Sequence, residues 1–137
     1  MSYIPADLRR LVIARAGNRC EYCCLAQEGQ EATFHIDHIV PFSVGGATEE
    51  ENLALACVSC SLRKAARQQA VDPESGQSVP LYNPRQDSWH DHFRWNGALL
   101  IGLSPTGRAT LVALSMNREL IVGIRQVESL IGRHPPS

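Results

Sequence analysis

Several things are scarce in this chain of 137 residues, and each scarcity excludes something. No apolar run approaches the ~20 residues that a membrane helix needs, so no membrane partner is expected. Met1 to Asp7 shows no basic segment followed by an apolar one, and no secretory signal is expected there. Aromatics are only 6% of residues, yet apolar residues reach 44% and charged residues 20%. That is globular composition, neither disordered nor fibrous. A soluble, cytoplasmic protein is the expectation. The length allows one domain, or a small core with an appendage. Lysine is nearly missing: Lys64 is the only one among 13 basic residues, the rest being Arg. Arg is the better bidentate phosphate ligand, although a GC-rich coding sequence gives the same bias. An excess of one charge is missing too. Thirteen basic against 14 acidic residues leave a net charge of -1, which argues neither for nor against nucleic acid. Such an average conceals local faces: Arg63, Lys64 and Arg67 cluster, while Glu49, Glu50 and Glu51 form an acidic loop.

Cysteine is not scarce. Cys20 and Cys23 make one C-x-x-C, Cys57 and Cys60 make another, and Cys24 is left over. A secreted disulfide framework calls for a signal and usually an even count. Two C-x-x-C pairs without these read as a tetrahedral structural Zn2+ site with four thiolate ligands. The 33 residues between Cys23 and Cys57 exceed a zinc-ribbon gap, so something is inserted between the knuckles. A thioredoxin-like motif would need one C-x-x-C in a βαβ context, which is absent.

Read from left to right, Pro5 to Ala16 predicts a helix, with Pro5 in the first turn, Asp7 at the positive end and Gly17 as the stop. Leu8, Leu11, Val12 and Arg15 fall on its inward face. Asn18 to Cys24 is the first knuckle. Ala32 to Ile36 is a strand candidate, Pro41 and Gly45-Gly46 mark a loop, and Asn52 to Ala56 leads into the second knuckle. Ser59 to Gln69 reads as a helix carrying the basic cluster on its exposed side. Residues 71–80, rich in Pro, Gly, Ser and Asp, read as a linker. Beyond them, Trp89 to Trp95 and Ala98 to Leu103 are strand candidates joined by Asn96-Gly97, a strong hairpin signal. Ser104-Pro105-Thr106 starts a helix, and Thr106 to Met116 and Asn117 to Ile131 carry apolar residues at helical spacing. The expected class is α+β. A leading helix and a zinc-bound core occupy residues 1–70, and a small hairpin-plus-helices appendage occupies residues 81–137.

Chemistry concentrates between the knuckles, in His35-Ile36-Asp37-His38-Ile39-Val40-Pro41, then Gly45-Gly46, then Asn52-Leu53. A carboxylate is a hard oxygen ligand for Mg2+ or a similar ion. A neutral His accepts a proton from water near pH 7. Neighbours on a strand point apart, so one can hold a metal while the other faces a water across a phosphate.

From Cys20 to about Lys64 the chain resembles the HNH nucleases, also called ββα-metal or His-Me-finger nucleases, in their zinc-containing branch. The order C-x-x-C, F-H-I-D-H-I-V-P, G-G, N-L-A-L-A-C-x-x-C and L-R-K carries the resemblance. The resemblance implies a metal-dependent endonuclease hydrolysing DNA phosphodiester bonds. It implies His38 as general base, Asp37 as ligand of a catalytic divalent ion such as Mg2+, and Asn52 as the residue that ties down the loop and holds His38. Cys20, Cys23, Cys57 and Cys60 would bind structural Zn2+. The chain departs from the family pattern at two places. The residue after the last Cys, usually Asn or His and completing the metal site, is Ser61, a weak neutral ligand. Ala65 stands where such proteins tend to have Gly.

His35 would share a strand face with Asp37, either as a substitute metal ligand or as a plain surface His. Arg63, Lys64 and Arg67 would contact DNA phosphates or simply face solvent, positioning the backbone without reading sequence. His90-Asp91-His92, between Trp89 and Trp95, would form a second site or a packed strand. Two other functions stay open: a zinc-stabilised nucleic-acid-binding module weakened as a catalyst by Ser61, and a protein-interaction adaptor acting through residues 81–137.

Overall fold

A computed structural model describes residues 3–136. Among the described residues the fold is α+β, with helices and three two-stranded antiparallel sheets. It divides into two compact units. One comprises the chain up to Gln68 together with Asn83–Gln86, and the other comprises Gln69–Tyr82 and the chain from Asp87 onward. Among the described residues no helix is long and apolar enough to cross a membrane.

The first unit begins with α1 (Ala6–Arg15), entered through Pro5. Its buried face is narrower than the spacing predicts: Val12 is fully buried, whereas Leu11 stays exposed. Arg15 reaches inward only with its guanidinium, which donates to the carbonyls of Glu50 at 2.9 Å and Leu53 at 2.8 Å. Gly17 and Asn18, both at positive φ, turn the chain into the first knuckle. There Cys20 N–H donates to Leu25 O, and Cys24 N–H donates to Cys20 O.

Strand β1 (His35–His38) pairs antiparallel with β2 (Leu53–Ala56), setting Asp37 opposite Ala54 and His38 opposite Leu53. The strand starts later than the expected Ala32 because the Phe34 N–H is taken by the Gln27 side chain at 2.7 Å, outside the ladder. All four β2 residues are buried, so this strand anchors the site. Helix α2 (Val58–Lys64) follows, capped by Cys57, whose sulfur accepts from Cys60 N–H. It stops at Lys64 rather than near Gln69 because Ala65 turns to φ 49° and ψ -128°. Arg67 therefore lies beyond the helix.

In the second unit, the stretch that reads as a linker is a hairpin of β3 (Gln69–Val71) and β4 (Ser78–Pro80). Its Asp, Pro, Ser and Gly residues serve a tight turn. Asp72 accepts from the backbone N–H of Glu74 and Ser75, an arrangement that closes the chain on itself. The expected strand from Trp89 is also revised. Trp89–His92 forms one helical turn, α3, and only Phe93–Asn96 is strand, β5. Alternating aromatics look alike in both settings; here Asp91 N–H closes the turn onto Ser88 O. β5 pairs with β6 (Leu99–Gly102), Asn96 opposite Leu99, across the two-residue loop Gly97-Ala98, one residue later than the expected Asn96-Gly97. Gly97 takes the positive φ, 61°, that the first position of such a loop requires. Helix α4 (Pro105–Ala113) is capped by the Ser104 hydroxyl accepting from Gly107 N–H at 2.9 Å, and α5 (Glu119–Leu130) completes the unit. Phe93, Leu100, Leu114, Met116 and Ile121 form its core.

Candidate functional site

Two assemblies of side chains in the first unit carry chemistry. In the first, Cys20, Cys23, Cys57 and Cys60 are all buried, and their sulfurs lie within 4.8 Å of one another. Two come from the first knuckle and two from the start of α2, so the cluster fastens the ends of the ββα segment together. Burial pushes the Cys20 thiol up, and contact with the other thiols pushes Cys60 up. Hydrogen bonds from Cys20, Cys23 and Cys60 pull Cys57 down. Four thiolates this close repel one another unless a cation sits among them. A buried all-sulfur tetrad is therefore a fitting donor set for Zn2+. Cys24 stands apart at φ 66° and is not in the group.

The second assembly lines a cleft of about 590 Å3, whose walls include Arg9, His35, Asp37, His38, Phe42 and Ser61. Asp37 is buried. Its Oδ2 receives Lys64 Nζ at 3.1 Å and the Tyr22 hydroxyl at 3.3 Å. Both partners engage the same oxygen, and Oδ1 takes neither. Burial pushes the Asp37 carboxyl up, against the opposing pull of Lys64 and Tyr22. A carboxylate still short of positive charge after these two contacts has use for a further cation.

His38 ends β1 at partial burial. Its Nε2 lies 2.8 Å from Thr48 Oγ1. Burial pulls its pKa below the ordinary value, Asp37 pulls it up and Lys64 pulls it down again. The net direction keeps the ring neutral near pH 7. Asn52, nearly buried, clamps the loop that follows: its Oδ1 accepts from Val40 N–H, and its Nδ2 donates to Val40 O and Ala47 O, all at 2.8 to 3.0 Å. Gly46 completes the clamp. A Cβ there would lie 1.8 Å from Val40 O.

The basic cluster divides. Lys64, expected on an exposed face, is almost wholly buried beneath β1, bonded to Asp37 and to His38 O at 3.1 Å. The reason is helix phase: Lys64 lies one turn after Cys60, on the same inward side. Arg63 and Arg67 are exposed, Arg63 donating to Ser59 Oγ and Arg67 to Arg63 O. Ser61 Oγ does not stand alone but lies 2.9 Å from His35 Nδ1. The sequence pattern passed over Arg9, Tyr22 and Thr48. Tyr22 had one visible signal, an aromatic placed inside a knuckle; Arg9 and Thr48 had none. Of the second-site candidates, His92 bonds Ser104 Oγ at 2.6 Å, while His90 and Asp91 are exposed. Among the described residues they join no metal-holding group.

Residues 20–67, about a third of the chain, match the family model for HNH endonuclease. No curated protein and no solved structure matches the chain.

Proposed function

Because residues 20–67 form an HNH domain, a type that indicates nuclease or nucleic-acid-binding function, we propose that this protein is a metal-dependent endonuclease cleaving DNA phosphodiester bonds. The observation that carries this reading is the convergence of Asp37 and His38 on one cleft, beside a clamp made by Asn52.

In this mechanism His38 is the general base. With its Nε2–H donating to Thr48 Oγ1, the Nδ1 lone pair is left to take a proton from the attacking water. Asn52 holds the Val40–Ala47 loop, and with it the position of His38. Asp37 would hold the catalytic ion, in the cleft that Ser61 of α2 also lines. A divalent cation such as Mg2+ supplies neutralisation of the charge that gathers on the phosphate and the leaving oxygen. Lys64 acts beneath the site instead of on DNA, fixing Asp37 and the His38 carbonyl. Arg9, which lines the cleft, and the exposed Arg63 and Arg67 serve as phosphate contacts.

The test is nicking of a supercoiled plasmid by zinc-loaded protein with a divalent ion. His38→Ala is expected to lower the rate by about 10^2- to 10^4-fold, the range of general base catalysis, while leaving the fold and DNA binding in place. Nicking that survives the substitution overturns the assignment. Ser61 favours a second reading, a nucleic-acid-binding module with the same fold. That reading gains if the folded wild-type protein binds DNA in a salt-sensitive way and cleaves with no metal.

A further inference from the structure

We propose that His35 is the second protein ligand of the catalytic ion and that Ser61 is the residue that orients it, so that the site favours a first-row transition ion over Mg2+. The inference rests on the nuclease reading above and names the cofactor class of that same site.

Three observations carry it. His35 and Asp37 lie two positions apart on β1, on one face of the strand, and both line the cleft. Their backbone positions are about 6.6 Å apart along a strand. From that separation an imidazole and a carboxylate can converge on one ion at ordinary bond lengths of about 2 Å. Next, Ser61 Oγ lies 2.9 Å from His35 Nδ1. A hydroxyl accepting from Nδ1–H fixes the tautomer and leaves Nε2 with its lone pair. A histidine that binds metal through Nε2 is held in the same way by its other nitrogen. Finally, His35 is exposed, and among the described residues its ring makes only that side-chain bond. Ser61, too weak to be a good ligand itself, thus prepares a stronger one across the cleft. The ligand that α2 would otherwise supply comes from β1.

A nitrogen in the donor set changes which ions suit it. Mg2+ takes oxygen ligands, whereas imidazole raises affinity for later first-row ions. Mn2+ binding to the full-length, zinc-loaded protein, read from the free-ion signal in electron paramagnetic resonance, tests this without reference to cleavage. Mg2+ affinity is measured by competition. Zinc content and circular dichroism confirm that each variant is folded. His35→Ala is expected to weaken Mn2+ binding by about tenfold or more and to change Mg2+ affinity little. Ser61→Ala is expected to weaken Mn2+ binding less, and to add nothing in the His35→Ala background, as befits a residue acting through the ring.

Asp37→Asn separates the two levels of the argument. If it abolishes Mn2+ binding while His35→Ala leaves it within about twofold of wild type, this inference is wrong and the nuclease reading stands. If neither substitution moves Mn2+ binding, the metal site of the parent reading is wrong and the inference falls with it. A Ser61→Ala effect that persists undiminished without His35 overturns the positioning role.

Discussion

Each unit buries an aspartate beside a cation, and the two pairs are built to different ends. Asp72 in the second unit is saturated. Arg108 grips both its oxygens at 2.9 and 3.0 Å, the Ser75 hydroxyl adds a bond at 2.8 Å, and two backbone N–H groups complete the set. Arg108 first, with those bonds, holds its carboxyl well below the usual carboxylate range. Asp37 in the first unit is under-supplied: Lys64 and Tyr22 share one oxygen, and burial outweighs them. A carboxylate with every lone pair used is a fastening. One with a lone pair in reserve inside a cleft suits the ligand role proposed for Asp37. The units differ as wholes in the same sense. The second is closed by Phe93, Leu100, Leu114, Met116 and Ile121, while the first gathers four thiols at its centre.

The harshest way to break this contrast is chelation. Zinc binding in small domains supplies free energy on the order of 10 kcal/mol, comparable with the whole stability of a domain. Stripping zinc is expected to abolish hydrogen-exchange protection in β1, β2 and α2 while β5, β6, α4 and α5 keep theirs. Equal loss in both units would show that the second also depends on the thiols.

Acid sharpens the contrast from the other side. The folded pKa of Asp72 is depressed, so the unfolded chain takes up the proton first as pH falls. Its stabilisation is complete above about pH 4, the ordinary Asp value, and drains away as pH drops toward the folded pKa. Asp72→Asn is expected to unfold the second unit at lower denaturant at pH 7, with the gap to wild type closing below about pH 4. A gap independent of pH would mean that the carboxylate's charge is irrelevant there.

The smallest effect concerns the end of α2. Ala65 sits at φ 49° and ψ -128°, a conformation that penalises a Cβ and suits Gly. Ala65→Gly is expected to raise the stability of the zinc-loaded first unit by about 1 kcal/mol, read from its denaturation midpoint. A destabilised Gly variant would show that α2 gains more from alanine's lower freedom in the unfolded chain.

What was legible in the sequence was what spacing encodes. Cysteine pairs announce a cluster because two residues of a knuckle meet whatever the rest does. Ser104-Pro105 acts locally and needed no partner to be read, and Asn96-Gly97 announced the hairpin, although its loop falls one residue later, at Gly97-Ala98. What escaped depends on partners distant in the chain. Lys64 looks like a solvated cation until Asp37, 27 positions earlier, is placed over it. The bond of His35 to Ser61 spans two elements, and Thr48 meets His38 only because Asn52 folds the loop back. Residues 71–80 were misread for another reason: turn residues between short strands have the same composition as a linker.

The segment Asn83–Gln86 has a consequence for modularity. The run that bears the family match ends at 67, yet the first unit recruits these four residues from well past it. Arg85 closes an ion pair on Glu21, whose other oxygen accepts from Leu55 N–H in β2. The unit is thus sewn shut by a stitch made later in the chain. Gene fusion or recombination that carries off residues 20–67 alone transplants the thiols, Asp37 and His38, but leaves the thread behind. Glu21, nearly buried in the intact protein, would then lean on β2 with no cation to answer it.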